Sequence, residues 1–332
     1  MGPAITPAPV FELPAIIRKY VTEIHFPRES EAERLSRSKR ARCGLVFNII
    51  IAAVILVGVG LLAYPTVADY YNQYHSTRLI AGYSDVVAGM SEADFDTMRA
   101  EAEAYNQALF GNPARFQPDE AELVKYNSIL DVTGTGIMGY IEIPRIKVRL
   151  PVYHTVSETV LQIAAGHMPG TSFPIGGFGV HAVISGHSAL PSAKLFTDLE
   201  LLDTGDIFEL HVLDDILYYQ VDAVNVVLPE EMDLLALDPD HDYITLVTCT
   251  PYGVNSHRLL VRGTRVDAPI DSDMSESDDA SDTGVVTHDA PGRDLRLVFV
   301  AIVLVFGLLL LFILFSGGRK SGPGMSGDGR KT

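Results

Sequence analysis

The sequence predicts a mainly β domain, a closed barrel or a sandwich, set between two transmembrane helices. Three observations carry this. Residues 136–266 hold seven short strand-like runs, punctuated by Gly, Pro, Asn and Asp. Two apolar runs flank that region, GLVFNIIIAAVILVGVGLLAY at 44–64 and LRLVFVAIVLVFGLLLLFILF at 295–315. Charge divides along the same lines: residues 65–294 carry 12 Lys and Arg against 36 Asp and Glu, whereas cations crowd the two ends of the chain.

Residues 1–43 form a basic tail in which Arg34, Arg37, Lys39, Arg40 and Arg42 lead into the first apolar run. A helix needs about 20 apolar residues to cross the hydrocarbon core, and 44–64 meets that length. It is too long and starts too late for a cleaved signal peptide. The second run, 295–315, carries one charge, Arg296, at its edge, and Arg319, Lys320, Arg330 and Lys331 follow it in the tail 316–332. Cations gather on the cytoplasmic side of spanning helices, so both termini are expected inside the cell and residues 65–294 outside.

Residues 65–135 are expected to be helical and then loop-like. Apolar residues recur at three- and four-residue spacing through TVADYYNQYHSTRLIAGYSDVVAG. Ser91-Glu92-Ala93-Asp94 reads as a capping box opening a second helix, which Gly111-Asn112-Pro113 stops. Residues 111–135 then read as loop. In 136–266 the strand-like runs are GIMGYIEIP, VRLPVYH, HAVISGH, DIFELHVL, LYYQVDAVNVVLP, YITLVTC and HRLLVRGTRV. ETVLQIAAG and residues 193–202 read as short helical or turn inserts. Residues 267–294 are acidic, Ser-rich and poor in large apolar groups, the composition of a disordered tether.

The acidic middle excludes nucleic-acid binding, which needs a basic stripe. The chain has two cysteines. Cys43 sits at the cytoplasmic edge of the first span and Cys249 in the exterior segment, so a bilayer keeps them from pairing. Cys43 reads as a membrane-edge residue or a palmitoylation site. Cys249 is an unpaired thiol in an oxidising compartment, which marks it as a candidate reactive group.

Cys249 ends the run YITLVTC, and Arg258 lies near the start of HRLLVRG. If the two runs pair antiparallel, these residues become neighbours at one rim of the sheet. A thiolate needs a base or a cation nearby. His187, just beyond the run HAVIS, is the candidate base, with His167 and His181 as competitors. Arg258 would donate to a developing oxyanion. His181, His187 and Cys249 would also suit zinc, but no C-x-x-C or H-x-x-x-H spacing supports a metal site. Spacing alone also leaves open a non-catalytic β-module with an inert Cys249.

The stretch TLVTCTPYGVNSHRLLVRG, 245–263, resembles the active-site signature of sortases. SGHSALPSAKLF, 185–196, resembles their histidine segment. GYIEIPRIKVRLPVYH, 139–154, GHMPGTSFPIGG, 166–177, and the two-span layout resemble the pilin-polymerising branch, class C. The resemblance implies an eight-stranded sortase barrel with helices packed outside. It implies Cys249 as nucleophile, His187 as general acid/base, Arg258 on the oxyanion and Thr248 as a supporting residue. It implies no cofactor and no metal. The implied partners are pilin subunits with an LPxTG-like signal, with a peptidoglycan precursor as the acceptor in a protein-anchoring alternative and water in a hydrolytic one. Class C members carry a lid with an Asp-Pro-aromatic tripeptide. Residues 111–135 lack it and offer Phe116-Gln117-Pro118-Asp119, so Phe116 and Asp119 are the candidate lid residues.

Overall fold

A computed structural model describes residues 31–269 and Gly307. Residues 1–30 of the expected basic tail, the expected second span 295–315 apart from Gly307, the tail 316–332 and nearly all of the acidic tether 267–294 lie outside the described residues. Among the described residues, those up to Gly58 together with Gly307 fall into one compact unit, and those from Val59 to 269 into another.

Helix α1 spans Glu31–Ala88 and contains the expected first span. Its stretch Val46–Ala88 is the one helix among the described residues that is long and apolar enough to cross a membrane. Only 6% of its apolar window is buried, so it is not the core helix of a soluble domain. The helix does not end where the apolar run ends. It continues through Pro65, whose ring removes one backbone hydrogen bond of the helix.

In the larger unit, the end of α1 is tied to the β-domain by Tyr83. Its hydroxyl donates to the Met138 carbonyl at 3.1 Å and accepts from the Leu213 amide at 2.8 Å. Burial and nearby negative charge push the Tyr83 phenol well up, keeping it a donor. Helix α2, Glu92–Leu109, opens with the expected capping box between Ser91 and Asp94. Asn106 on its buried face clamps the Phe173 backbone, donating to its carbonyl at 3.0 Å and accepting from its amide at 2.6 Å.

One departure from the sequence reading lies in 111–135. Residues 120–128 are not loop: they form helix α3, Glu120–Ser128. Asp119 is its N-cap, accepting from the Glu122 amide at 2.8 Å while the Glu122 carboxylate accepts from the Asp119 amide. Two orphan amides of the first turn are thereby satisfied, which lets nine largely polar residues hold a helix.

Eight strands close a barrel in the order β1-β2-β3-β4-β7-β8-β6-β5. They are β1 Ile137–Ile143, β2 Val148–His154, β3 Ala165–His167, β4 Val180–Ser185, β5 Ile207–Val212, β6 Asp215–Val227, β7 Asp242–Thr250 and β8 His257–Val266. Seven coincide with the runs read from sequence. The eighth, β3, is three residues long and bridges β2, in parallel, to β4. Helix α4, Glu158–Leu161, links β2 to β3.

The strand pattern sorts side chains into two layers. Ile141, Ala182, Ile184, Phe208, Tyr219, Ile244, Leu246 and Val261 fill the barrel interior. Val183, Val247 and Leu260, one residue out of phase, face outward and gather with Leu235 in a second apolar cluster. The second cluster is the floor on which the candidate site is built.

Candidate active site

Strands β4, β7 and β8 run side by side in the barrel wall. β7 and β8 are antiparallel, and their register sets Val247 opposite Leu260 and Cys249 opposite Arg258. Side chains alternate along a strand, so Cys249 shares the outer face with Val247, and Arg258 shares it with Leu260. β4 and β7 are parallel, with Ser185 beside Val247. His187 follows two residues later, at the same end of the sheet as Cys249. The expected neighbourhood of Cys249 and Arg258 is therefore a consequence of strand register.

Two side-chain bonds hold the chain after β4 against the end of β7. Thr248, phased to the interior and buried, donates its hydroxyl to the Gly186 carbonyl at 2.7 Å. Ser188 donates its hydroxyl to the Cys249 carbonyl at 2.6 Å. His187 thus lies between two residues that are each fastened to the cysteine strand. Backbone bonds add to this: the Gly186 amide donates to the Val247 carbonyl, and the Phe196 amide to the His187 carbonyl, both at 3.0 Å. Gly186 is required by space, because a Cβ there would come within 2.7 Å of the Phe196 ring. Ser188 was not singled out by sequence reasoning; its adjacency to His187 was the only signal.

His187 is partly buried. Its Nε2 is covered by protein, has no hydrogen bond, and lies 3.5 Å from Oε2 of Glu158 at the start of α4. The other Glu158 oxygen accepts from Gln162 Nε2 at 2.9 Å. The Gln162 bond first, and then the charge of the His187 ring, hold the Glu158 carboxyl below the usual range.

Cys249 is partly exposed and unpaired. A small cavity of about 10 Å³ adjoins it, lined by Ser188, Thr248, Cys249, Tyr252 and Leu259 among others. Arg258 directs Nη1 to the carbonyls of His257, at 3.1 Å, and Asn255, at 3.3 Å. Those bonds engage one of its terminal nitrogens and leave donors of the fork for an incoming group.

The competing histidines are structural. His167 is fully buried, with Nδ1 accepting from the Tyr126 hydroxyl and Nε2 donating to the Ser172 carbonyl, each at 2.8 Å. Burial pushes its pKa down to about 3, so it stays neutral. His181 donates from Nδ1 to the Ala236 carbonyl and accepts at Nε2 from the Thr245 hydroxyl, each at 2.8 Å. With both ring nitrogens engaged it has no lone pair for a zinc ion shared with His187 and Cys249.

The two candidate lid residues part company. Asp119 is committed to capping α3. Phe116 lies over the floor formed by Val183, Val247, Leu260 and Leu235, alongside Met168 and Val227. The preceding Arg115 donates to the Gly170 carbonyl at 3.0 Å and to the Leu235 carbonyl at 2.8 Å, with its guanidinium 4.2 Å from the Phe116 ring centre. Gly170 has a positive φ of +83°, and a Cβ there would overlap the Arg115 carbonyl.

A buried-strand scaffold presenting a thiol, an imidazole and a guanidinium at one rim is suited to acyl transfer through a thioester. Comparison with known proteins agrees with that chemistry. The Sortase domain family model matches residues 141–266. The crystal structure of sortase C1 from Streptococcus agalactiae is 45% identical, with 58% of this chain and all of that chain covered at a TM-score of 0.56. Sortase C from Clostridium perfringens, solved with the C-terminal cell wall sorting motif, is 38% identical, with 58% of this chain and all of that one covered at a TM-score of 0.51. Sortase A of Bacillus anthracis is 27% identical over 221 residues, 67% of this chain and 95% of that protein. With strand register, barrel order and these likenesses in agreement, the chain belongs to the sortase family.

Proposed function

We propose that this sortase is a class C enzyme that polymerises pilins, with Cys249 as nucleophile, His187 as general acid/base and Arg258 as oxyanion donor. Sortases are cysteine transpeptidases of the membrane that act on LPxTG-type signals. The observation that carries the residue assignment is the Cys249–Arg258 register pair, with His187 fastened beside it through Gly186 and Ser188. Likeness to sortase C structures from several species supports the class.

In this reading the Cys249 sulfur attacks the Thr–Gly carbonyl carbon of an LPxTG-like signal. The thiol proton moves to His187, and Arg258 donates to the oxygen that gains charge. As the C–N bond breaks, His187 returns the proton to the departing glycine amine, leaving a thioacyl-enzyme. A lysine amine of the next pilin subunit then attacks the thioester. An isopeptide bond forms, the thiol is released, and His187 carries the proton between amine and sulfur. Thr248 supports the reaction by fixing the chain that bears His187. No step requires a metal or cofactor.

We further propose that Phe116 acts as a lid over the outer floor, held by Arg115, and that the chain spans the membrane twice with residues 65–294 outside. The Clostridium perfringens structure supports a sorting-signal substrate for its own chain, and its likeness extends that reading to this one. Incubating the full-length protein with an LPxTG-like peptide and a pilin fragment tests it. Ligation through a lysine side chain is expected. Release of free acid irrespective of added amine would replace polymerisation with hydrolysis.

A further inference from the structure

Resting on the assignment of Cys249 and His187 above, we propose that Glu158 is a positioning residue for the reaction. It takes Nε2 of His187, so that Nδ1 is the nitrogen that exchanges protons with the Cys249 thiol. The His187 Nε2 atom is covered by protein and makes no hydrogen bond. A buried N–H without a partner is costly, and a carboxylate oxygen is a strong acceptor for it. That oxygen, Oε2 of Glu158, lies 3.5 Å away, in ion-pair range. It stands at the N-terminus of α4 and is steadied by the bond from Gln162 to the other oxygen. Glu158 is 69% exposed and His187 24%, so water screens the pair.

The chemistry fits the two-step reaction. When the thiol gives its proton to Nδ1, the ring becomes cationic, and Nε2–H points at the carboxylate. When Nδ1 returns the proton to the leaving amine, the ring is held in the same tautomer for the next half-reaction. Glu158 touches neither substrate nor sulfur and acts through His187 alone.

The test uses the full-length protein in detergent micelles with Cys43→Ser, so that Cys249 is the only thiol. Alkylation of Cys249 by iodoacetamide, and the transpeptidation kcat with the KM for peptide and for amine, are measured for wild type, E158A, E158D, H187A and the double variant E158A/H187A. E158A is expected to slow alkylation and kcat about fivefold, the ceiling for a screened pair, with KM unchanged. E158D is expected to restore most of the loss. In the H187A background, E158A is expected to have no further effect, the mark of a residue acting through the histidine. Equal slowing by E158A with and without His187 would overturn the proposal. So would an E158A defect confined to the KM for the amine, which would assign the carboxylate to the incoming lysine. If H187A itself leaves alkylation and turnover unchanged, the functional reading fails, not merely the role of Glu158.

Discussion

Cys249 and Arg258 face each other across the β7–β8 ladder, with Val247 and Leu260 as the next outward-facing pair. The thiol and the guanidinium are therefore placed by backbone pairing rather than by a flexible loop. Sites built on strands hold their geometry closely. This relationship makes the role of each side chain separable by substitution.

Arg258 is partly exposed at a strand start, so replacing it should leave the fold intact. Arg258→Lys keeps the charge and loses the planar fork. The kcat for acylation is expected to fall about a hundredfold, the usual cost of removing one oxyanion donor. The thermal midpoint is expected to stay put. A near wild-type kcat in Arg258→Lys would remove the guanidinium from the oxyanion role.

Thr248 supports the site from inside the barrel. Thr248→Val deletes the hydroxyl that holds the Gly186 carbonyl, leaving a buried acceptor unpaired. Denaturant unfolding should show a loss of about 1–3 kcal/mol. Turnover should drop more than substrate affinity, because the displaced element carries His187. A variant with lowered affinity and unchanged kcat would show that Thr248 does not position the histidine.

Phe116 and Asp119, equivalent as lid candidates in the sequence, should behave in opposite ways. Phe116→Ala uncovers the floor beside Cys249 and is expected to speed alkylation of that thiol. Asp119→Ala removes a helix cap, costing about 1 kcal/mol of stability with no change in thiol reactivity. Identical alkylation rates in wild type and Phe116→Ala would rule out the lid.

His167 predicts how the domain responds to acid. Its folded-state pKa of about 3 lies below its ordinary value of 6.5, because burial disfavours the charged ring. The unfolded chain therefore binds more protons between those values, and stability must rise with pH across that window. The contribution is complete above about pH 6.5 and is lost as pH falls toward 3. His181 shifts in the same direction for the same reason. The thermal midpoint should fall steadily from pH 7 to pH 4, and His167→Phe should flatten that slope. A slope unchanged in His167→Phe would place the acid sensitivity elsewhere.

The legible parts of the sequence were those with strong periodicity or an unusual residue. Seven strands showed alternating or β-branched runs, and the Ser91 capping box announced α2. Strand β3 was hidden because the three residues Ala165–His167 are too few to show a period. Helix α3 was hidden for a different reason. Asp119-Glu120-Ala121-Glu122 is the same capping pattern as at Ser91, but the segment after it is short and polar, with no strong apolar stripe. At the site, Cys249 and Arg258 could be paired from sequence because they flank one turn. His187 could be read from sequence only as the first of three candidate histidines, until the resemblance chose it, since its approach depends on the parallel pairing of β4 with β7, strands far apart in the chain. Glu158 gave no sequence signal and Ser188 gave only its adjacency to His187, because their roles arise from contacts made only after the barrel closes.

The most direct measurement is intact mass spectrometry of the full-length protein with an LPxTG-like peptide, wild type beside Cys249→Ala. A covalent acyl adduct on the wild type, ending at the threonine and absent from the variant, is expected. An adduct that survives in Cys249→Ala, or peptide cleavage that continues without Cys249, would contradict thioacyl transfer at this site.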